Sequence, residues 1–502
     1  VSRPGKVWLV GAGPGDPGLL TLKAARAIAA CDVLVYDYLA SEAIVSMAPQ
    51  TCEKIYVGKK AGAHTMPQEE ITALIVRLGL EGRHVVRLKG GDVFVFARGG
   101  EEATELYNAG VPFEIIPGIT SAMAAPAYAG IPITHRDHNT SFTIATGHED
   151  PLKGFSSLDF AKLANPSQTL VFLMAMGSLA GIVGKLREHG VPGDMPVAIV
   201  REGTKPTQET LVATLDTIIG EVARTNFKAP AIVVIGTVVN ERETIRWFDR
   251  NPLFGKRVLI TRAQEQASET AARLYEVGAQ PAIAPTIAIA PPDDVAAARA
   301  ATESFHEYDW VIFTSRNGVA AAFDVLKERG ADARAFATAK IAAIGPKTAA
   351  ALAAHGIVAD YVADTSRSEE IASGLLAHVR ANDKTLLFGA QESRDVIAER
   401  FTVAGYHFRS VAGYRTVAVR DERIAQLAED CDVWTFASAS AVDAFVDNVP
   451  DAIAVSANKT IACIGPVTAQ AATAKGLRVD VVPDDATVEA LIDALKVPAL
   501  AR

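Results

Sequence analysis

Short apolar runs such as VWLVG (7–11), DVLVY (32–36), HVVRL (84–88) and AIVVIG (231–236) recur between Ala-rich helical stretches. Strands covered on both faces lose the alternation of apolar and polar positions. Strand and helix in turn therefore predict a parallel α/β architecture. The pattern breaks once, at TIRWFDRNPLFGKRVLITRA (244–263). Polar residues and Asn251-Pro252 interrupt it, and Gly255 precedes a fresh strand at Arg257–Thr261. A boundary near 250–255 divides the 502 residues into a domain over 1–250 and another over 255–502. No apolar run approaches the roughly 18–20 residues that cross a bilayer.

The second half repeats itself. Asp309, Phe313, Ser315 and Val319 recur as Asp432, Phe436, Ser438 and Val442; IAAIGPKTA (341–349) recurs as IACIGPVTA (461–469). Asp360, Val362, Asp364 and Glu369 recur as Asp480, Val482, Asp484 and Glu489. Three segments in one order at nearly one offset predict two copies of an α/β unit, with a period too long for a solenoid.

Charge narrows the partners. The net charge is −9, with 24 basic against 26 acidic residues up to Arg250 and 25 against 32 after it. Neither half suits general nucleic-acid binding, and a polyanionic ligand would need a locally basic pocket. Cys31, Cys52, Cys431 and Cys463 are scattered without metal-ligand spacing, so neither a disulfide framework nor a metal site is expected. With no leader pattern in the opening residues, the expected location is cytoplasmic.

Three glycine-bearing segments carry the chemistry of the first half. VGAGPGDPG (10–18) formally satisfies a dinucleotide fingerprint at Gly13, Gly15 and Gly18. Pro14 and Pro17, however, remove amide donors that a pyrophosphate would need. RLKGGD (87–92) puts Gly90-Gly91 at a strand end with Asp92 beside them, and PGITSA (117–122) puts Thr120-Ser121 where a helix cap belongs.

Together with VYD, VGKKAGAHTMPQEEI, RGGEE, PAYAGIPITHR, TGH and TLVFLMAMG, these segments resemble the uroporphyrinogen-III C-methyltransferases, within the tetrapyrrole methylases, over about 1–247. The resemblance implies a two-lobed fold with S-adenosyl-L-methionine between the lobes and S-adenosyl-L-homocysteine as product. It places the donor against Pro14, Gly90, Gly91, Asp92, Val95, Thr120, Ser121, Met174 and Gly203. It makes Asp37 a proton acceptor and Lys59 a proton donor, and it implies a homodimer through this half. Methyl transfer to a pyrrole carbon must be followed by loss of a proton, which a carboxylate and an ammonium poised apart in pKa would serve. A strand-end carboxylate capping its turn and a surface lysine are the plainer readings of the same two residues.

From Gly255 on, KRVLITRA, FTSRNGV, AAIGPKTAAAL, GYRTV, TFASASAVDAF and CIGPVTAQA resemble uroporphyrinogen-III synthase over about 255–497. The resemblance implies two similar α/β lobes joined by a two-stranded linker: lobe one about 255–284 plus 418–502, lobe two about 290–411. The implied reaction closes hydroxymethylbilane to uroporphyrinogen III with inversion of the last ring and without a cofactor. Tyr414 on the returning linker is the candidate acid. Arg262, Ser315, Arg316, Thr348, Ser438 and Thr468 are candidate contacts for substrate carboxylates, although helix capping would explain the hydroxyl residues equally.

The two halves together predict a bifunctional enzyme that forms precorrin-2, acting on small tetrapyrroles with no nucleic-acid or membrane partner. The rivals are a nicotinamide-dependent oxidoreductase on the Gly13–Gly18 turn with Asp37 as ribose carboxylate, and a C-terminal half that only binds, as periplasmic-type binding proteins do.

Overall fold

The computed structural model describes residues 4–58, 66–148, 158–364, 368–380, 382–392 and 396–497. They fall into two compact units, Val1–Lys256 with Leu274–Gln280 and Arg257–Arg273 with Pro281–Arg502.

The first unit holds two five-stranded sheets. One runs Glu53–Tyr56, Val33–Tyr36, Val85–Lys89, Val7–Gly11, Phe113–Ile116, with every pairing parallel. Val7, Leu9, Val33, Val35 and Val85 on one face and Val10, Leu34, Val86 and Leu88 on the other are fully buried, as strands covered on both faces require. The other sheet runs Ser141–Thr146, Gln168–Leu173, Ala231–Ile235, Pro196–Arg201, Glu209–Thr214. Only its first pair is parallel, and the other three pairings are antiparallel. The expectation of parallel strands is corrected here. Arg201 and Glu209 are joined by a loop too short for the crossover of a dozen or more residues that parallel pairing needs, so the chain turns back as a hairpin.

The second unit holds two sheets built on one plan. The smaller runs Gln280–Ile283, Arg257–Ile260, Val433–Phe436, Thr460–Cys463. The larger runs Ile287–Ala290, His407–Ala418, Lys384–Ala390, Trp310–Phe313, Lys340–Ala343, Tyr361–Val362. The repeated residues make repeated bonds. Asp309 Oδ2 accepts from the Lys384 amide and Asp432 Oδ2 from the Arg257 amide, both at 2.8 Å. Asp360 and Asp480 do the same for Ile341 and Ile461, at 2.8 Å and 2.9 Å. Each carboxylate accepts from an amide in the first or second position of a strand, Lys384 and Arg257 being first and Ile341 and Ile461 second. Ile287–Ala290 runs antiparallel to the end of the twelve-residue strand His407–Ala418, and the chain passes between the two sheets along this pair. No described helix is long and apolar enough to cross a membrane.

Candidate active sites

In the first unit the three glycine-bearing segments meet beyond the ends of the parallel strands. Gly13 and Gly91 exchange backbone hydrogen bonds of 3.1 Å and 2.7 Å. Both hold a left-handed backbone, φ +74° and +70°, that disfavours any residue with a Cβ. Gly118 closes against them: a Cβ on Gly11 would stand 2.5 Å from the Gly118 nitrogen. Asp92 binds the turns together, Oδ2 accepting from the Gly118 amide at 3.1 Å and Oδ1 from the Phe94 and Val95 amides at 2.8 Å and 3.2 Å. Pro14, Gly90, Val95, Thr120 and Ser121 are all half-buried. Thr120 caps the helix Ser121–Tyr128, its hydroxyl accepting from the Ala122 amide at 3.4 Å.

Met174 and Gly203 come from the second sheet of the unit. Met174 follows Gln168–Leu173 with φ +55° and half its surface exposed. Gly203 follows Pro196–Arg201 and packs on Ala125 of the Ser121–Tyr128 helix. Its neighbours Glu202 and Thr204 also hold positive φ, a clustering of backbone strain that is characteristic of ligand loops. Asp16, overlooked in the sequence, fastens that loop. Its amide donates to Thr204 Oγ1 at 3.2 Å, and its carboxylate accepts from the Tyr128 hydroxyl at 2.6 Å and the Gly18 amide at 2.7 Å. Burial and the Asp16 charge push the Tyr128 phenol well above its usual range. An Asp before Pro-Gly is a turn signal, and that much was readable.

Asp37 stands just past Val33–Tyr36 and is about a quarter exposed. Oδ1 accepts from the Leu39 amide at 3.1 Å and Oδ2 from the Arg87 guanidinium at 3.2 Å. Arg87 is in turn held by Glu102, whose Oε1 accepts from Arg87 Nε at 3.3 Å, Lys89 Nζ at 2.9 Å and Gln68 Nε2 at 2.8 Å. Glu102 is fully buried, and its Oε2 has no partner among the described residues. Burial pulls the Lys89 ammonium below its usual range, and the Arg87 charge pulls it further. Leu39 lies against Gly90, which sets Asp37 beside the glycine turns. Lys59 lies outside the described residues. On and just beside these loops the large apolar side chains of Tyr38, Leu39, Phe94, Phe96, Met123 and Met174 are exposed.

A dinucleotide does not fit the first turn. The glycine run leads into the short 3₁₀ turn Pro17–Leu19, and the α-helix begins only at Leu22 under a Thr21 cap. No helix N-terminus opens on the glycines to receive a pyrophosphate.

In the second unit Tyr414 is buried with its hydroxyl 2.9 Å from Ser315 Oγ. Burial raises the phenol above its usual range, while hydrogen bonds with Ser315 and Asn317 draw it partly back. Arg262 donates to Gln266 Oε1 at 2.7 Å, and Gln266 donates to Asn317 Oδ1 at 3.0 Å, so Arg262 and Tyr414 belong to one polar cluster. Burial lowers the Arg262 guanidinium and the nearby Arg316 charge lowers it further. Lys347 and Arg273 both pair with Glu489, at 3.3 Å and 3.1 Å. Ser315 and Ser438 are helix caps, bonded to the Gly318 amide at 3.0 Å and the Ala441 amide at 3.2 Å. Thr348 and Thr468 are buried beneath their Gly-Pro turns.

Two family models match: Tetrapyrrole (Corrin/Porphyrin) Methylases over residues 6–219, and Uroporphyrinogen-III synthase HemD over 268–493. The chain is 39% identical over 495 residues to the porphyrin biosynthesis protein HemD of Ruminiclostridium josui, covering 98% of this chain and 97% of that one. It is 49% identical over 247 residues to siroheme synthase of Escherichia coli, covering 49% of this chain and 53% of the relative, so the chain spans about half of that protein. Among solved structures, the uroporphyrin-III C-methyltransferase of Thermus thermophilus in complex with S-adenosylhomocysteine is 39% identical, covering 47% of this chain and 99% of that one at a TM-score of 0.41.

Proposed function

The chain belongs to the family of the R. josui porphyrin biosynthesis protein HemD and itself carries a tetrapyrrole methylase region followed by a uroporphyrinogen-III synthase region, and from that premise we propose that it catalyses two successive steps on one tetrapyrrole. Residues 255–502 close hydroxymethylbilane to uroporphyrinogen III, and residues 1–250 then transfer two methyl groups to give precorrin-2. Within 255–502, lobe one is about 255–284 plus 418–502 and lobe two about 290–411.

The observation that carries the methylase assignment is the lock of Gly13, Gly91 and Gly118 beside Asp37. S-adenosyl-L-methionine supplies the methyl group and leaves as S-adenosyl-L-homocysteine. The turns at Pro14, Gly90–Asp92, Val95 and Thr120–Ser121, with Met174 and Gly203, hold the donor against bare main chain, where no side chain intervenes. Each methylation makes a substituted pyrrole carbon quaternary, so the one net proton lost leaves another position of the macrocycle to Asp37, and any proton that Lys59 supplies is matched by a second that leaves to water. The exposed apolar residues on the same loops receive the face of the ring.

In the synthase half, Tyr414 protonates the departing hydroxyl, which leaves as water. A phenol held above its usual pKa stays protonated at neutral pH and is available for that step. Arg262 and Arg316 meet substrate carboxylates, with Ser315 and Ser438 at the two cap positions and Thr348 and Thr468 shaping the turns beneath. This half needs no cofactor. The reading also includes a cytoplasmic setting and a homodimer through the methylase half.

Incubation with hydroxymethylbilane and labelled S-adenosylmethionine tests both steps, and the macrocycle isomer and methyl count are read together. Only the uninverted isomer, or a count of zero on supplied uroporphyrinogen III, overturns the corresponding half.

A further inference from the structure

Cysteine spacing gave no reason to expect a metal site, and the described residues hold one candidate of a different kind. His135 and His138 lie on a turn after the helix Ser121–Tyr128, and Glu241 ends the 3₁₀ turn Thr237–Glu241 about a hundred residues later. One ligand atom from each lies within 4.8 Å of the other two. Such a cluster is invisible to spacing rules, because the fold alone brings its parts together.

The turn is built rigidly. Asn139 Nδ2 donates to the Ile133 carbonyl at 3.0 Å, the Ser141 carbonyl at 2.9 Å and Thr169 Oγ1 at 3.0 Å. Its Oδ1 accepts from the His135 amide at 2.9 Å. The two imidazoles are thereby fixed with centroids 5.1 Å apart and planes tilted by 55°. His138 has Thr237 Oγ1 2.9 Å from Nδ1 and Glu241 Oε1 2.8 Å from Nε2. Without an ion, Nε2 donates its hydrogen to Glu241 and Nδ1 accepts from the threonine; with Nδ1 donating to the threonine instead, Nε2 turns a lone pair toward the carboxylate side, where a cation replaces that hydrogen. A hydroxyl on the far nitrogen is also the usual outer support of a metal-bound histidine.

We propose that His135, His138 and Glu241 bind one divalent transition metal ion of the zinc, cobalt or nickel class. Imidazole and carboxylate without thiolate suit these ions. Three protein ligands leave the fourth tetrahedral position to water. Ligand atoms around such an ion stand about 3.3 Å apart, given bonds near 2 Å, so the His138–Glu241 pair opens slightly from 2.8 Å and His135 draws inward when it binds. The side chains have room to do so, being between a fifth and about a third exposed. Bound metal ties the connector before Ser141–Thr146, which joins the two sheets of the first unit, to the segment after Ala231–Ile235. This site does not depend on the methylase assignment, since none of its three ligands is a proposed donor or proton-transfer residue.

The test strips the full chain with chelator and titrates it with Zn²⁺ or Co²⁺ alone, read by calorimetry, Co²⁺ visible absorption and melting temperature. One equivalent is expected, with a rise in melting temperature that follows from binding the folded state alone. The Co²⁺ spectrum should lack a thiolate charge-transfer band. Thr237→Val, which removes only the outer support, should weaken binding by about 10–100-fold. Glu241→Gln and His138→Ala should weaken it at least as much. Should His138→Ala fail to fold, His135→Ala carries the test, because its ring makes fewer bonds. Absence of stoichiometric binding, affinity unchanged in these variants, or a thiolate band from the four buried cysteines each overturns the site.

Discussion

The guanidinium of Arg87 bridges Asp37 and Glu102, reaching a carboxylate at the surface with one end and a fully buried one with the other. Arg87 is itself only 3% exposed, so the orientation of Asp37 is set from inside the sheet. Arg87→Met leaves Glu102 buried with Lys89 and Gln68 as its remaining partners. Breaking a buried pair from one side costs about 3–5 kcal/mol. A lower melting temperature is expected, with slower methylation by the folded fraction and donor binding retained in calorimetry. Arg87→Lys should rescue little, since a single ammonium cannot span both carboxylates. Full activity in Arg87→Lys would detach Asp37 from this network.

Asp37→Asn keeps the Leu39 turn bond but removes the base. Methylation of uroporphyrinogen III should fall by about 10²–10⁴, with S-adenosylmethionine affinity within about twofold of the parent. Equal turnover would leave Asp37 as a turn cap.

Gly118→Ala should separate the glycine turns, because its Cβ would run into the Gly91 carbonyl and the Gly11 backbone. The colliding atoms are main chain and cannot rotate away. Donor affinity is expected to drop at least tenfold, a loss of about 1.4 kcal/mol or more. The synthase activity of the same preparation serves as an internal control, and unchanged donor binding would show that the lock does not shape the donor site.

Tyr414 gives a pH signature. Its phenol is raised, so the protonated acid persists above the ordinary value of about 10 and is lost only as pH rises through the higher folded value. The alkaline limb of ring closure should therefore lie above pH 10 wherever the protein stays folded. Tyr414→Phe should abolish that limb and lower the rate by about 10²–10⁴. An alkaline limb that survives in Tyr414→Phe assigns the acid to another group.

The sequence was legible where a residue does one local job. Asp309 with Asp432 and Ser315 with Ser438 read as a repeat because each pair makes the same bond in each copy. Asp92 was read as a ligand group from its place beside Gly90-Gly91, but its bonds were not legible: Oδ1 accepts from two amides of its own loop, and Oδ2 reaches across to the Gly118 amide of another turn. Glu102 was illegible: in RGGEE it looks like a solvated helix face, and only the packing of Gly99–Asn108 against Val85–Lys89 turns it inward. The direction of Ala231–Ile235 was illegible too, since a buried run reads alike whichever way its neighbours point.

The repeat supplies its own control for the synthase site. Ser315 and Ser438 occupy equivalent caps with nearly identical backbones, φ −164° and −161°, ψ 158° in both. Replacing either by Ala removes the same bond to a helix amide, worth about 1 kcal/mol, so the two variants should melt at similar temperatures. Their second bonds differ. Ser315 Oγ meets the Tyr414 hydroxyl at 2.9 Å, whereas Ser438 Oγ meets Ser440 at 3.1 Å. The Ser315 bond lowers the phenol, so its loss lets Tyr414 rise further and makes it a weaker acid. Ser315→Ala should therefore reduce kcat for ring closure and move the alkaline limb upward. Ser438→Ala, at a carboxylate contact only, should raise KM with kcat little changed. Stability measured beside both separates the shared capping loss from the catalytic one. Equal effects on kcat at equal stability would place the acid elsewhere and leave both serines as caps.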